Sequence, residues 1–163
     1  IPRFNAERMV LDYIRNYYSK AGQQHRIMAE NDAKLAKGLA AWKEKIAEAW
    51  SSVTVQIISR PEEKISSDDT VDITVNVVLG GLASEDIKVV CLFGDVNESN
   101  QFVQESDFSL TFVEQQSEHE ALFSAKIESD MYGKKFYRVF AYPWHKGLSH
   151  PFEMGMMHYA IHN

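Results

Sequence analysis

The sequence has little cysteine, no long apolar run and no leader pattern. Its single cysteine, Cys91, excludes a disulfide scaffold and a zinc site built from cysteines. No apolar run reaches the roughly 18 residues that a membrane-spanning helix needs. The N-terminus has no signal-peptide pattern. Because the chain begins with Ile1 rather than methionine, we expect it to be part of a longer polypeptide.

The motifs of common catalytic and metal centres are also missing. The sequence contains no G-x-x-x-x-G-K-[ST] loop, no G-x-G-x-x-G after a strand and no G-x-S-x-G elbow. Cys91 lies within an apolar run, which predicts a buried, unreactive thiol. Four histidines lie near the end of the chain: His145, His150, His158 and His162. Because no carboxylate pattern accompanies them, we predict surface or edge histidines rather than a metal site.

Charge is distributed unevenly over the 163 residues, whose formal net charge is −6. Residues 1–50 have a balance of +3, whereas residues 51–163 have a balance of −9. Such an acidic domain repels phosphate backbones, so nucleic acid is a poor candidate partner.

Residues 1–50 show the three- and four-residue apolar spacing of helices. A first helix is predicted to begin at the N-cap Asn5 and to end at Gly22, with a second from about Gln23 to Trp50. The first helix has an apolar stripe flanked by arginines, and the interface candidates are Arg8, Met9, Tyr13, Ile14 and Tyr17. Because this composition is typical of an interface, we expect the chain to contact another domain or to self-associate through it.

From Ser51 onward the apolar residues alternate with polar ones, as in half-buried strands. About seven such runs are separated by turn signals, among them Gly80-Gly81 and Gly94-Asp95. The sequence therefore predicts a mainly β protein with an N-terminal helical arm over residues 1–50. An antiparallel, immunoglobulin-like β-sandwich is predicted over residues 51–163.

Four aromatic residues bracket the predicted loop between the last two strands. Aromatic ring faces can stack on the C–H surfaces of sugars, whereas the alternative is that these rings only pack the end of the sandwich. They are the candidate sugar contacts: Tyr132, Tyr142, Trp144 and Phe152.

A succession of short motifs resembles the C-terminal region of prokaryotic α-glucan (glycogen or maltodextrin) phosphorylases. It begins with Phe4-Asn5-Ala6-Glu7-Arg8-Met9-Val10 and continues with Leu39-Ala40-Ala41-Trp42-Lys43. The resemblance then includes Glu85-Asp86-Ile87 and ends with His150-Pro151-Phe152-Glu153-Met154-Gly155. It covers most of the chain in order.

The resemblance implies a parent enzyme that cleaves α-1,4-glucan with inorganic phosphate to give glucose 1-phosphate, using lysine-bound pyridoxal phosphate. The lysine motif of that cofactor is absent here. We therefore expect a chain without catalytic, cofactor-binding or metal-binding residues. It would be an inactive cytoplasmic accessory region that packs on the catalytic domains of the same parent chain, and contact with α-glucan is left open. A free-standing sugar-binding sandwich and a protein-interaction sandwich remain the alternatives.

Overall fold

The computed structural model describes residues 19–59, 70–128 and 135–161, with the backbone alone for residues 19–33 and 128. The chain divides into two compact units, Ile1–Lys45 and Ile46–Asn163.

One helix, α1 (Ser19–Ala49), is followed by a 3₁₀ turn at Trp50–Ser52. The predicted helix end at Gly22 was wrong, because α1 continues through that residue. A glycine inside a helix costs only about 1 kcal/mol relative to alanine, which a helix of 31 residues tolerates. The predicted first helix lies outside the described residues. Among those described, no helix combines the length and apolarity that crossing a membrane requires.

The described part of the second unit is mainly β, as predicted. Its seven strands all pair antiparallel: β1 (Thr54–Ser59), β2 (Thr70–Val78), β3 (Ile87–Val96), β4 (Phe102–Ser117), β5 (Glu120–Glu128), β6 (Phe136–Pro143) and β7 (His158–Tyr159). Each predicted run contributes to one of these strands, because alternating apolar residues suit a sheet with one buried face.

The strands form one sheet in the order β1-β2-β5-β4-β3-β6-β7. The long strand β4 joins its two halves, because residues 102–110 pair with β3 and residues 111–117 pair with β5. The outer strands approach each other through an isolated parallel bridge between Gln56 and Ile161. The amide of Ile161 donates to the carbonyl of Val55 at 2.9 Å, so the sheet is nearly closed.

The main core lies between the inner faces of this folded sheet. Alternate residues of β2 are buried, and β3 contributes Val89, Cys91 and Phe93 from the opposite half. Ile46 and Trp50 belong to the same unit and are also buried. The prediction of a buried Cys91 is confirmed, and burial raises the pKa of its thiol from 9.0 to about 12.

The two glycine signals for turns have different outcomes. Gly80-Gly81 forms a turn, and both residues have positive φ angles of 59° and 88° that suit glycine. The predicted turn at Gly94-Asp95 was wrong, because both residues lie within β3. A Cβ atom at Gly94 would collide with the backbone carbonyl of Val103, so this glycine permits close strand approach at a register shift.

Candidate functional site

A second apolar cluster lies on the outer face of β3 and β6, on the side of the sheet opposite to the main core. Val90 pairs with Phe140, and Lys88 pairs with Tyr142, so these side chains share the face opposite to Val89 and Cys91. Val90, Phe140 and Tyr142 are buried. Leu92 and Trp144 are partly buried and pack against them. We call this group of five the outer cluster: Val90, Leu92, Phe140, Tyr142 and Trp144.

The connection between β6 and β7 places a further ring, Phe152, on the outer cluster. The centroid of Phe152 lies 5.0 Å from that of Tyr142 and 6.4 Å from that of Phe140. Local hydrogen bonds hold this connection in shape, since the amide of Phe152 donates to Nδ1 of His150 at 3.1 Å. The Glu153 carboxylate accepts from the amide of Ser149 at 2.6 Å. Phe152 is therefore fixed in position although 45% of it is exposed.

The end of the described chain presents a row of exposed apolar side chains. Met157, Tyr159 and Ile161 are 36%, 58% and 61% exposed. The residues between them, Met156, His158 and Ala160, are half-buried. This two-residue alternation places the exposed three on one side of an extended segment. Together with Phe152 they form what we call the C-terminal patch: Phe152, Met157, Tyr159 and Ile161.

The C-terminal patch is continuous with the outer cluster and is anchored from beneath. Tyr159 pairs with Phe140, and their ring centroids lie 5.9 Å apart. His158 stacks on Trp50 with centroids 5.4 Å apart, and its Nε2 lies 3.0 Å from the Trp50 carbonyl oxygen. Because a carbonyl only accepts, His158 donates this bond. The strand that carries Tyr159 is thus fixed to the 3₁₀ turn that begins at the buried Trp50.

Electrostatics distinguish this face from the rest of the domain. Residues 136–161 contain one acidic residue, Glu153, and no aspartate, asparagine or glutamine. The ammonium group of Lys88 lies 3.8 Å from the centroid of the Trp144 ring, a favourable cation–π geometry. Burial raises the pKa of Tyr142, with a further contribution from the Asp107 carboxylate.

The structure brings three of the four candidate sugar contacts together. Tyr142 is buried beneath Phe152, and Trp144 is half-buried beside it. Of the three described candidates, Phe152 has the most exposed side chain, at 45%, and Tyr132 lies outside the described residues. The interface candidates of the first predicted helix also lie outside them: Arg8, Met9, Tyr13, Ile14 and Tyr17.

Several residues of this face are absent from the sequence-based candidates: Val90, Leu92 and Phe140 of the outer cluster, and Met157, Tyr159 and Ile161 of the C-terminal patch. The alternation from Met156 to Ile161 indicated that Tyr159 shares one face with Met157 and Ile161, but alternation alone predicts that such a face is buried. Two of the four C-terminal histidines, His145 and His150, accept backbone bonds within their own turns, and His158 lies on the edge strand. Across the described ranges, no group of three or more histidine, cysteine, aspartate or glutamate residues is arranged to hold a metal ion.

A family model described as the glycogen phosphorylase C-terminal domain matches residues 50–161, which include all seven strands. The chain belongs to this family. The resemblance found in the short sequence motifs is thereby confirmed.

Curated relatives extend the match to nearly the whole chain. A maltodextrin phosphorylase of Thermococcus litoralis is 29% identical over 161 residues, covering 96% of this chain and 18% of that protein. Glycogen phosphorylases of Mycobacterium bovis and Mycobacterium tuberculosis are 25% identical over 159 residues, again covering 96% of this chain and 18% of theirs. The chain thus spans about a fifth of the length of these relatives. No solved structure matches it.

Proposed function

We propose that this chain serves as the non-catalytic C-terminal region of an α-glucan phosphorylase and packs on the catalytic domains of the same polypeptide. Membership of the glycogen phosphorylase C-terminal domain family carries this proposal, and the match over residues 50–161 includes the whole strand-forming region. The parent reaction is the phosphorolysis of α-1,4-glucan to glucose 1-phosphate. The chain contributes an accessory domain to that enzyme.

The described lysines do not fit a site for pyridoxal phosphate. A lysine that holds this cofactor covalently needs a protected setting and further groups on the cofactor ring. None of the lysines with described side chains is buried. Lys88 lies over the Trp144 ring, and Lys135 pairs with the carboxylates of Asp95 and Glu105. We therefore assign the cofactor of the parent enzyme to its catalytic domains.

The proposal is tested by mixing the chain with the separately produced catalytic remainder of its polypeptide. We expect a complex of one chain per remainder by light scattering, and no release of glucose 1-phosphate from glycogen and phosphate by the chain alone. Phosphorolysis by the chain alone, or the absence of any complex, would contradict the proposed function.

Contact with α-glucan is a second candidate role, favoured by the exposed ring of Phe152 and the half-buried Trp144, which both pack against the cluster of Val90, Phe140 and Tyr142. Titration with maltoheptaose, read by tryptophan fluorescence, tests it. Saturable quenching that Phe152→Ala weakens and that Phe112→Ala, on the exposed part of β4, leaves unchanged would support this role in place of a protein partner at the same ring. A flat titration would remove this role.

Arg8, Met9, Tyr13, Ile14 and Tyr17 are proposed as an interface with the catalytic domains, or between copies of the chain when those domains are missing. An immunoglobulin-like arrangement of the strands and a cytoplasmic location belong to the same proposal. A free-standing sugar-binding or protein-interaction domain remains the alternative.

A further inference from the structure

We infer that the C-terminal patch, Phe152, Met157, Tyr159 and Ile161, is the surface through which this domain docks on the catalytic domains of its own polypeptide. The inference rests on the proposed function and adds to it the contact surface. The proposed contact is between two protein surfaces, and the outer cluster supports the patch from beneath.

The composition of the patch is that of a protein interface. Interface centres are enriched in aromatic residues and methionine and depleted of acidic residues and lysine. All four patch residues are exposed, and all are aromatic, methionine or isoleucine. Residues 131–163 contain one acidic and four basic residues, whereas residues 51–130 contain sixteen acidic and four basic ones. The segment that carries the patch therefore contributes almost none of the acidic charge of the domain.

The patch is held in one conformation before any partner binds. Phe152 and Tyr159 both contact Phe140, which is buried. The bond from His158 to the Trp50 carbonyl fixes the strand between Met157 and Tyr159. Because these side chains are already ordered, docking loses little of their conformational freedom.

The chemistry of the face favours a protein over a glucan as the occupant. Carbohydrate hydroxyl groups require hydrogen-bonding side chains beside the stacked ring, and few amide or carboxylate groups border this face, namely Gln56 beside Ile161 and Asp107 near Tyr142. Residues 136–161 offer only Glu153, whose carboxylate already accepts from the Ser149 amide. The family relatives, by contrast, supply a polypeptide partner, since about four fifths of their length lies outside the matched region.

Another exposed apolar site provides the matched control. Phe112 on β4 is 48% exposed, close to the 45% of Phe152, and packs edge-on against the buried Phe123 at 6.0 Å between centroids. The next residue, Val113, is also exposed, and the strand continues with polar, exposed residues from Glu114 to Ser117. Phe112 therefore matches Phe152 in exposure and ring type but lies outside the C-terminal patch, next to a polar stretch.

Hydroxyl-radical footprinting tests the inference directly. The 163-residue chain is oxidised alone and with the separately produced catalytic remainder, and the modification of each side chain is measured by mass spectrometry. We expect the remainder to slow oxidation of Phe152, Met157 and Tyr159 by about threefold or more, as burial at an interface does, while Phe112 keeps its rate.

A variant pair gives an independent readout of the same surface. Tyr159→Asp should weaken binding of the catalytic remainder by about tenfold or more, since it buries an unpaired charge, whereas Phe112→Asp should leave affinity nearly unchanged. Melting curves identify variants that fail to fold. If Tyr159→Asp unfolds the chain, Tyr159→Ser and Met157→Ser are measured instead, with the same expected loss of affinity.

The outcomes separate this inference from the proposed function. If the remainder binds but protects Phe112 and not the patch, the docking surface is wrong and the proposed function stands. If nothing binds, the proposed function itself fails. Protection of the patch by maltoheptaose, or protection that rises with the concentration of the chain alone, would overturn the inference in favour of a glucan or a second copy.

Discussion

Strands β2 and β6 both lie inside one sheet, yet only β2 alternates buried and open residues. In β2 the buried residues Val71, Ile73, Val75 and Val77 alternate with less buried ones. In β6 all five residues from Val139 to Pro143 are buried. The difference arises from the outer face, where β6 carries Phe140 and Tyr142 under the connection to β7. A strand of this antiparallel sheet can therefore have a core on each side.

The largest expected effect comes from removing the outer cluster. Phe140→Ala deletes a buried ring that contacts Tyr142, Phe152 and Tyr159, so we expect the free energy of unfolding to fall by about 3 kcal/mol. Asp72→Ala, on the exposed outer side of β2, should change it by less than about 0.5 kcal/mol. Chemical denaturation measures both. A loss below about 1 kcal/mol for Phe140→Ala would show that β6 has only one stabilising face.

The inner faces of the two strands should respond alike. Val75 in β2 and Val139 in β6 are almost fully buried, so truncation to alanine should cost about 2 kcal/mol in each case, from lost apolar burial and the cavity left behind. Urea unfolding curves measure both losses, and they are comparable when the slopes match that of the unmodified chain. Costs that differ severalfold would mean that the main core is not shared evenly by the two strands.

Alkaline pH tests the inner face of β3, the neighbour of β6. Burial raises the pKa of Cys91 to about 12, so the unfolded chain releases this proton first as pH rises. The stabilising contribution is complete below pH 9 and is lost progressively toward pH 12. We expect a loss of about 1 kcal/mol at pH 10. In Cys91→Ala this part of the pH dependence should be missing, whereas an unaltered alkaline profile would argue against a buried thiol.

The smallest effect is expected at the anchor of the C-terminal patch. His158→Phe keeps a ring against Trp50 but removes the donor to its carbonyl, which should cost about 1 kcal/mol. His150→Phe, which removes only a bond within its own turn, is the control. Calorimetric melting temperatures compare the two. Equal decreases in melting temperature would mean that the bond from His158 to the Trp50 carbonyl stabilises the chain no more than the local bond of His150 does.

The positions of most strands along the chain could be predicted from alternation, as at Val71 to Val77, because one face of each such strand meets the core. The extent of β4 could not, since its residues from Thr111 to Ser117 are exposed and carry no apolar rhythm. Gly94 was also misleading, because close strand approach requires the same residue type as a turn. Local sequence does not encode which of these applies.

The candidate site was only partly predictable for a related reason. The aromatic residues Tyr142, Trp144 and Phe152 were identified, and the structure brings them together. Their exposure depends on the connection that folds back over β6, and this is a tertiary effect. Tyr142 therefore supports the surface from below, whereas the neighbouring Tyr159 reaches solvent.

The near-closure of the sheet depends on very few bonds. β7 contributes two residues, and beyond it the amides of Ala160 and Ile161 bond to Val139 and Val55. Local opening there breaks little else, so these amides should exchange with heavy water earlier than those of β3. A partner bound over Tyr159 would slow that exchange. The exchange rate of the Ala160 and Ile161 amides would therefore report whether the domain is docked on its partner.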